Sequence, residues 1–460
     1  METVADRYNL TRAWKHVAAN DGAAGPDKQS VQSMRSCIDD VLLALHDDLL
    51  AGRYRPGAIR RVWIPKSGGG QRGLGIPNVI DRIVQQALHQ VLSPLYEPDF
   101  HESSHGFRPA RSCHTAIAEA KEHLKDGNEW VVDLDLEKFF DRVHHERLLA
   151  RLKMRVSDDR IISLIRKMLK AKVVMPDGVV VSTEEGTPQG GPLSPLLSNV
   201  VLDELDRELA ERGHRFVRYA DDCNIYVRSE RAGLRVMESV TRFIERRMRL
   251  SVNREKSAVE RAGKRHFLGF RVGWSHAERT VTVQLSKRSR DRIDEKIRLL
   301  TPRTWGQSLA DCIRRINAYL TGWIGFFRIC TASSVFAALD AHVRRRLRAI
   351  LLKHWKKKST IAKRLIHLGI ESEAAWSTVY RGNRSWWALS HTPAVDYALR
   401  NKVFGKKYAL TSLETRWKDL RRETAAGPGQ LTLKGLSAGA SRRRSKGCDG
   451  PHRGAPKSRM

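Results

Sequence analysis

An α+β fold is predicted for this chain from three observations. Up to about residue 285, period-two apolar runs alternate with helical stripes. Two of the period-two runs carry aspartates at their ends, at Asp133–Asp135 and Asp221–Asp222. From about residue 286 the pattern is helical only and becomes increasingly basic.

Residues 1–55 read as helical, with Val41, Leu42, Leu45, Leu49 and Leu50 at helical spacing. Ile59 to Lys66 reads as a strand, and Ser67 to Gly73 as a glycine-rich turn with cations around it. A long helix is expected from about Val79 to Leu92, buried through Ile80, Ile83, Val84, Ala87, Leu88, Val91 and Leu92. Trp130 to Leu136 alternates strictly. Trp130, Val132, Leu134 and Leu136 share one face, and Val131, Asp133 and Asp135 the other. Gly186 to Pro192 is a glycine-punctuated loop. Ser194-Pro195 then opens a helix, with Ser as N-cap and Pro in the first turn. Leu196, Leu197, Val200, Val201, Leu205 and Leu209 form its buried stripe.

Phe216 to Val227 reads as a hairpin with Asp221 and Asp222 at its tip. Adjacent aspartates repel unless something positive sits between them. Mg²⁺ suits such a place, because it takes one or two carboxylates plus waters and substrate phosphates. Two such ions about 3.5–4 Å apart are a standard device for in-line phosphoryl transfer. Taken alone, the pair also fits a polar turn. Phe267 to Phe270 is expected to close the domain as a small strand pair.

Residues 341–358 contain eight Lys or Arg and no acid, over a stripe of Val343, Leu347, Ile350, Leu351 and His354. Arg344, Arg345, Arg348, Lys353, Lys356 and Lys357 are the candidate phosphate contacts. Residues 376–420 interleave Trp376, Tyr380, Trp386, Trp387, Tyr397 and Tyr408 with Arg and Lys. That suits strand binding or an aromatic core equally.

The 83 Lys and Arg against 51 Asp and Glu give a net charge of +32. Nucleic acid is the natural partner for that field. A bilayer-spanning segment is not expected, since no apolar run approaches the roughly 20 residues required. The polar N-terminus shows no secretory signature. The six cysteines form no C-x-x-C pair, so neither a zinc module nor a disulfide framework is expected. An intracellular, cytoplasmic location follows as an expectation.

Six segments occur in a fixed order: Arg72–Pro77, Ser104–Pro109, Asp135–Asp141, Thr187–Pro195, Tyr219–Asp222 and Phe267–Phe270. Leu320–Phe327 follows them. On these segments the chain resembles the bacterial reverse transcriptase–maturase proteins encoded by group II introns, over roughly residues 5–420. The resemblance implies a right-hand polymerase. Fingers and palm with antiparallel sheet would occupy 1–275, and an all-α thumb or maturase domain 276–375. A small DNA-binding region would occupy 376–420 and a disordered basic tail 421–460.

The resemblance further implies RNA-directed DNA synthesis. Asp135, Asp221 and Asp222 would be catalytic and hold two Mg²⁺, while Asp133 and Asp141 would play supporting parts. Lys66 and Arg72 would meet the incoming triphosphate. Gln189 would pack beside the nascent base pair, and Phe140 would police the sugar 2′ position. The implied partners are intron RNA, an RNA template with its DNA primer, a DNA target and deoxynucleoside triphosphates.

There are departures from the family pattern. Cys223, followed by Asn224, stands where Phe is common. Nothing after residue 420 offers the Cys/His ligands of the endonuclease domain that many relatives carry. Some relatives serve phage defence. Two other readings remain: a splicing factor that uses the palm only as scaffold, and a generic basic RNA-binding protein.

Overall fold

The computed structural model describes residues 1–425, except 66–68, 304, 305, 307 and 382–384. It comprises two units, Met1–Ser286 and the chain from Lys287 on.

In the first unit, helices Arg7–Asn20 and Ile38–Leu50 precede a hairpin of β1 (Ile59–Pro65) and β2 (Gln71–Ile76). β3 (Trp130–Asp135) comes next in sequence but belongs to the palm sheet, while β4 (Val173–Val174) and β5 (Val180–Val181) complete the first sheet in the order β2-β1-β4-β5. The Val79–Tyr96 helix runs past the expected end at Leu92, with Pro94 accommodated in its last turns. Ile83, Val84, Ala87, Leu88 and Leu92 of the expected stripe are fully buried, with Val79, while Ile80 and Val91 at its margins are only partly buried.

The second sheet has the order β6-β7-β3-β8, with β6 spanning Arg215–Tyr219, β7 Asp222–Val227 and β8 Ala258–Arg261. All its pairings are antiparallel. Val132 and Leu134 of β3, Cys223 and Ile225 of β7 and Phe216 of β6 join Leu197 and Val200 of the Ser194–Glu211 helix in one apolar core. Each such buried aliphatic side chain contributes about 1.5–3 kcal/mol. Cys223 therefore fills a core position opposite Leu134, and burial pushes its thiol up so that it stays neutral.

The loop at 186–192 is bonded on both sides. The Gly186 and Thr187 amides donate to the Val143 and Phe140 carbonyls, at 2.8 and 2.6 Å. The Gly75 amide of β2 donates to the Gln189 carbonyl at 2.6 Å. Gly190 is required here: its φ is +131°, and a Cβ would sit 2.3 Å from the Gly75 carbonyl oxygen. The helix that follows spans Ser194–Glu211, but its N-cap is Leu193 rather than Ser194. The Ser194 hydroxyl instead donates to the Pro188 carbonyl at 2.6 Å, so the loop claims the group expected to cap the helix.

Phe267 and Phe270 exchange backbone hydrogen bonds across a tight turn, with φ of +51° at Leu268 and +92° at Gly269. The turn leads into a hairpin of β9 (Phe270–Ser275) and β10 (Thr280–Leu285). A division at 275 would part these two paired strands, and the first unit accordingly continues to Ser286.

The second unit is all-helical among its described residues. Helices Leu309–Phe327 and Ser334–Trp355 bury Ile316, Leu320, Phe336, Leu339, Val343 and Leu347. Helix Leu413–Ala425 docks on Ser334–Trp355. Buried Asp340 accepts the Leu413 and Glu414 amides at 2.8 and 3.2 Å and the Ser412 hydroxyl at 2.8 Å. The carboxylate thus satisfies donors that a helix N-terminus leaves open. Trp417 donates its indole N–H to the Cys330 carbonyl at 3.1 Å. Residues 421–425 of the expected tail are therefore the last turn of a packed helix, and 426–460 lie outside the described residues.

Candidate active site

The β6–β7 register places the acids. Tyr219 pairs with Asp222, so Ala220 and Asp221 alone form the turn. Asp222 is thus the first residue of β7, and only Asp221 occupies the tip. Across the sheet Asp135 lies directly opposite Asp222, so both carboxylates leave the same face. Like charges placed opposite one another destabilise a sheet, which marks this edge as a site for a cation. Burial pushes the Asp221 carboxyl above its ordinary range. Asp135 adds to that shift, while Arg72 and Arg218 oppose it.

Among the described residues no three Asp, Glu, His or Cys side chains are grouped so as to hold a metal ion by themselves. The register brings only oxygen donors to this edge, which fits an ion that completes its coordination with water and substrate phosphate. The neighbouring chain holds Asp135 in place. Its amide donates to Ser257 Oγ at 3.0 Å, its carbonyl accepts the Asn253 amide at 2.8 Å, and Lys256 Nζ lies 3.6 Å from its carboxylate. Asp133, on the same face, is ion-paired to Arg265 at 2.6 Å. Asp141 is exposed on the short Phe139–Arg142 helix.

Beneath the turn lies a group outside the six ordered segments. Arg218 is fully buried. It grips Asp206 through Nε and Nη2, at 2.6 and 2.5 Å. Its other bonds run to Asn199 at 3.1 Å, Ser104 Oγ at 2.7 Å and the Ala220 carbonyl at 2.9 Å. All five donors of the guanidinium are used. Burial alone would lower its pKa, but the Asp206 carboxylate holds it above the ordinary value. The signal was present in the sequence. Alternation puts Arg218 on the apolar face with Phe216, where a charge needs a partner.

The Ser104–Pro109 segment supports the same turn. The His105 amide donates to the Arg218 carbonyl at 2.8 Å, and the Arg218 amide to the Ser103 carbonyl at 2.8 Å. Gly106 is pressed so closely on the turn that a Cβ would meet the Ala220 nitrogen at 2.2 Å. The Glu119 carboxylate anchors this segment through His105 Nε2 and Ser103 Oγ, both at 2.6 Å. Burial works to raise Glu119, but hydrogen bonds from His105, His123 and Ser103 hold it down at about 2.

Two of the expected substrate residues meet directly: Arg72 Nε donates to Gln189 Oε1 at 2.8 Å. Both line an open pocket of about 470 Å³ with Leu74, Phe107, Phe140 and Gly190. Phe140 is 8% exposed and packs edge-on against Phe139, yet it reaches the pocket wall. Lys66 lies outside the described residues.

The basic run at 341–358 is not a uniformly open face. Arg348 is 4% exposed and ion-paired with Asp396. Burial, with Arg344 and Arg345 nearby, pulls its pKa down to about 10. It is a structural ion pair: Arg348 lies on the buried side of its helix, with Leu347, Ala349 and Leu352 buried around it. Arg344 is half-buried, and Arg345 stacks on Trp387 at 4.0 Å. Lys353 is half-buried, while Lys356 and Lys357 are exposed. Among the described residues no helix is long and apolar enough to cross a membrane.

Residues 64–272 match the reverse transcriptase (RNA-dependent DNA polymerase) family, and residues 290–367 the group II intron maturase-specific domain. Protein YkfC of Escherichia coli (strain K12) is 35% identical over 310 residues, which cover 59% of this chain and 80% of YkfC. Group II intron-encoded protein LtrA of Lactococcus lactis subsp. cremoris is 28% identical over 360 residues, 63% of this chain and 59% of LtrA. The chain thus spans less than two thirds of LtrA. A solved partial Cas6-RT-Cas1–Cas2 complex aligns with a TM-score of 0.34 and 25% identity, over 53% of this chain and 42% of its own. Enzymes with this polymerase domain use divalent metal ions. A reverse transcriptase domain followed in one chain by the maturase-specific domain is a defining pair, and the chain belongs to the group II intron-encoded reverse transcriptase–maturase family.

Proposed function

We propose that the protein is an RNA-directed DNA polymerase that also binds its intron RNA to assist splicing and supports intron mobility. The observation that carries this reading is the register that sets Asp135 against Asp222 with Asp221 at the adjoining turn. Asp135, Asp221 and Asp222 would hold two Mg²⁺, which neutralise the attacking and leaving oxygens of an in-line displacement when bound. Arg72, held by Gln189, presents a cation to the triphosphate of the incoming deoxynucleotide, and Lys66 is assigned the same role. Gln189 fixes the wall against which the new base pair forms. The partners are an RNA template with its DNA primer, intron RNA and a DNA target.

Purified protein given an RNA template, a DNA primer, deoxynucleotides and Mg²⁺ should extend the primer. A splicing assay on the intron tests the second activity. Splicing without any extension would leave the palm as scaffold only.

Phe140 is assigned the choice between sugars. A rigid ring at the pocket wall excludes a 2′-hydroxyl by clash. Phe140→Ala should raise ribonucleotide incorporation while deoxynucleotide use remains measurable. The ratio of kcat/KM for the two sugars is the quantity to measure, and an unchanged ratio in a folded, active variant would make Phe140 packing only.

RNA binding should be steeply salt-dependent. If about 6–10 phosphates are neutralised, affinity falls about 10³–10⁵-fold between 50 and 200 mM salt. Lys356→Gln with Lys357→Gln should reduce the salt slope by about 2 and leave the melting temperature in place. Arg348→Gln should do the reverse, because Arg348 is spent on Asp396. Equal slopes in wild type and the double variant would move the RNA surface elsewhere.

A further inference from the structure

Phe107 has a backbone conformation that its side chain does not favour. Its φ is +60°, in the left-handed region that glycine adopts freely and a bulky residue seldom does. Its neighbours hold it there. The Gly106 carbonyl accepts from Asn199 Nδ2 at 2.9 Å, and Gly106 itself is pressed on Ala220. On the other side, Arg108 is bonded to Glu97 Oε1 at 2.9 Å and to the His101 and Ser104 carbonyls at 2.6 and 2.9 Å. The chain could relieve the strain with glycine, or bury the ring. It does neither. Phe107 is 50% exposed and lines the same pocket as Arg72, Phe140 and Gln189. A strained residue whose surroundings over-determine it, with its apolar face held open in a substrate pocket, is a feature found at ligand clamps.

We propose that Phe107 is a stacking residue for a nucleobase in the polymerase pocket. The inference rests on the polymerase reading above and extends it to a residue with no assigned part. The chemistry is general, since every base offers a π-face and base–aromatic stacking tolerates all sequences. The bonded neighbours fix the backbone that carries the ring before substrate arrives, so less freedom is lost on binding. The base is either the templating one or that of the incoming nucleotide.

The test uses the full-length protein and the variants Phe107→Gly, Phe107→Leu and Phe107→Trp. Phe107→Gly removes the ring and the strain together. It should melt at or above the wild-type temperature, while its KM for the primer–template or for the nucleotide rises about 10–100-fold. Phe107→Trp should retain affinity, and Phe107→Leu should fall between. A second readout needs no turnover. 2-Aminopurine is placed at the templating position, or supplied as a non-incorporated triphosphate, and its fluorescence should be quenched by wild type and less so by Phe107→Gly. The arm that responds identifies which base stacks. Wild-type KM with unchanged fluorescence in Phe107→Gly would overturn the proposal, as would a lowered melting temperature that accounts for the lost affinity. Failure of wild type itself to extend a primer would instead reject the polymerase reading.

Discussion

Asp221→Asn is expected to abolish DNA synthesis, with a fall of at least about 10³-fold in kcat, while RNA binding survives. The substitution keeps the shape of the turn and removes one charge from a site whose chemistry depends on charge. The same variant should be more stable than wild type in the absence of metal. Burial and the nearby Asp135 raise the Asp221 pKa, so ionisation costs more in the folded chain than in the unfolded one. The sign follows: stability is present below the unfolded carboxylate pKa and is lost as pH rises through the higher folded value. At neutral pH the wild type carries that cost and Asp221→Asn does not. A thermal melt in EDTA at pH 7 should therefore run higher for the variant, with the gap closing toward pH 4. A variant that extends primers at near wild-type rate would remove Asp221 from the site.

Asp206→Ala should cause the largest loss of stability. It strands the Arg218 guanidinium, fully buried and with two of its bonds gone. Breaking a buried pair from one side costs about 3–5 kcal/mol, which for a unit of this size lowers the melting temperature by on the order of 10 °C. Replacing both partners, as Asp206→Leu with Arg218→Met, should recover most of that stability, since no buried charge remains. Polymerisation should not recover with it. The methionine cannot donate to the Ala220 carbonyl, and that bond fixes the left-handed turn residue beside the catalytic carboxylates. Recovery of both properties together would reduce Arg218 to a packing group.

The sequence made the acid-bearing edge readable because period-two alternation reports faces directly. Asp133 and Asp135 had to leave one side of β3, and they do. It could not report register between strands far apart in the chain, so the pairing of Asp135 with Asp222 was not readable. It also missed Arg218–Asp206, since an ion pair between a helix and a strand leaves no local spacing. The Ser194 cap failed for a related reason: a tertiary acceptor, the Pro188 carbonyl, outcompeted the local one. The charge run at 341–358 misled in part. Counting cations does not show which are exposed, and Arg348 and Arg345 are engaged by Asp396 and Trp387.

The two-residue turn at Ala220–Asp221 also bears on which genetic changes this region can tolerate. The side-chain period of a strand is two, so shifting β7 by one position exchanges its faces. A one-codon insertion or deletion between Tyr219 and Val227 would carry Asp222 out of line with Asp135. It would bring Cys223, or a neighbour of the wrong polarity, to the catalytic edge. Substitutions in this hairpin can be compensated one side chain at a time, but a change in its length cannot. Drift among relatives should accordingly alter the letters here and spare the spacing, with length variation confined to surface connections such as the turn around Gly178, where open space surrounds the backbone.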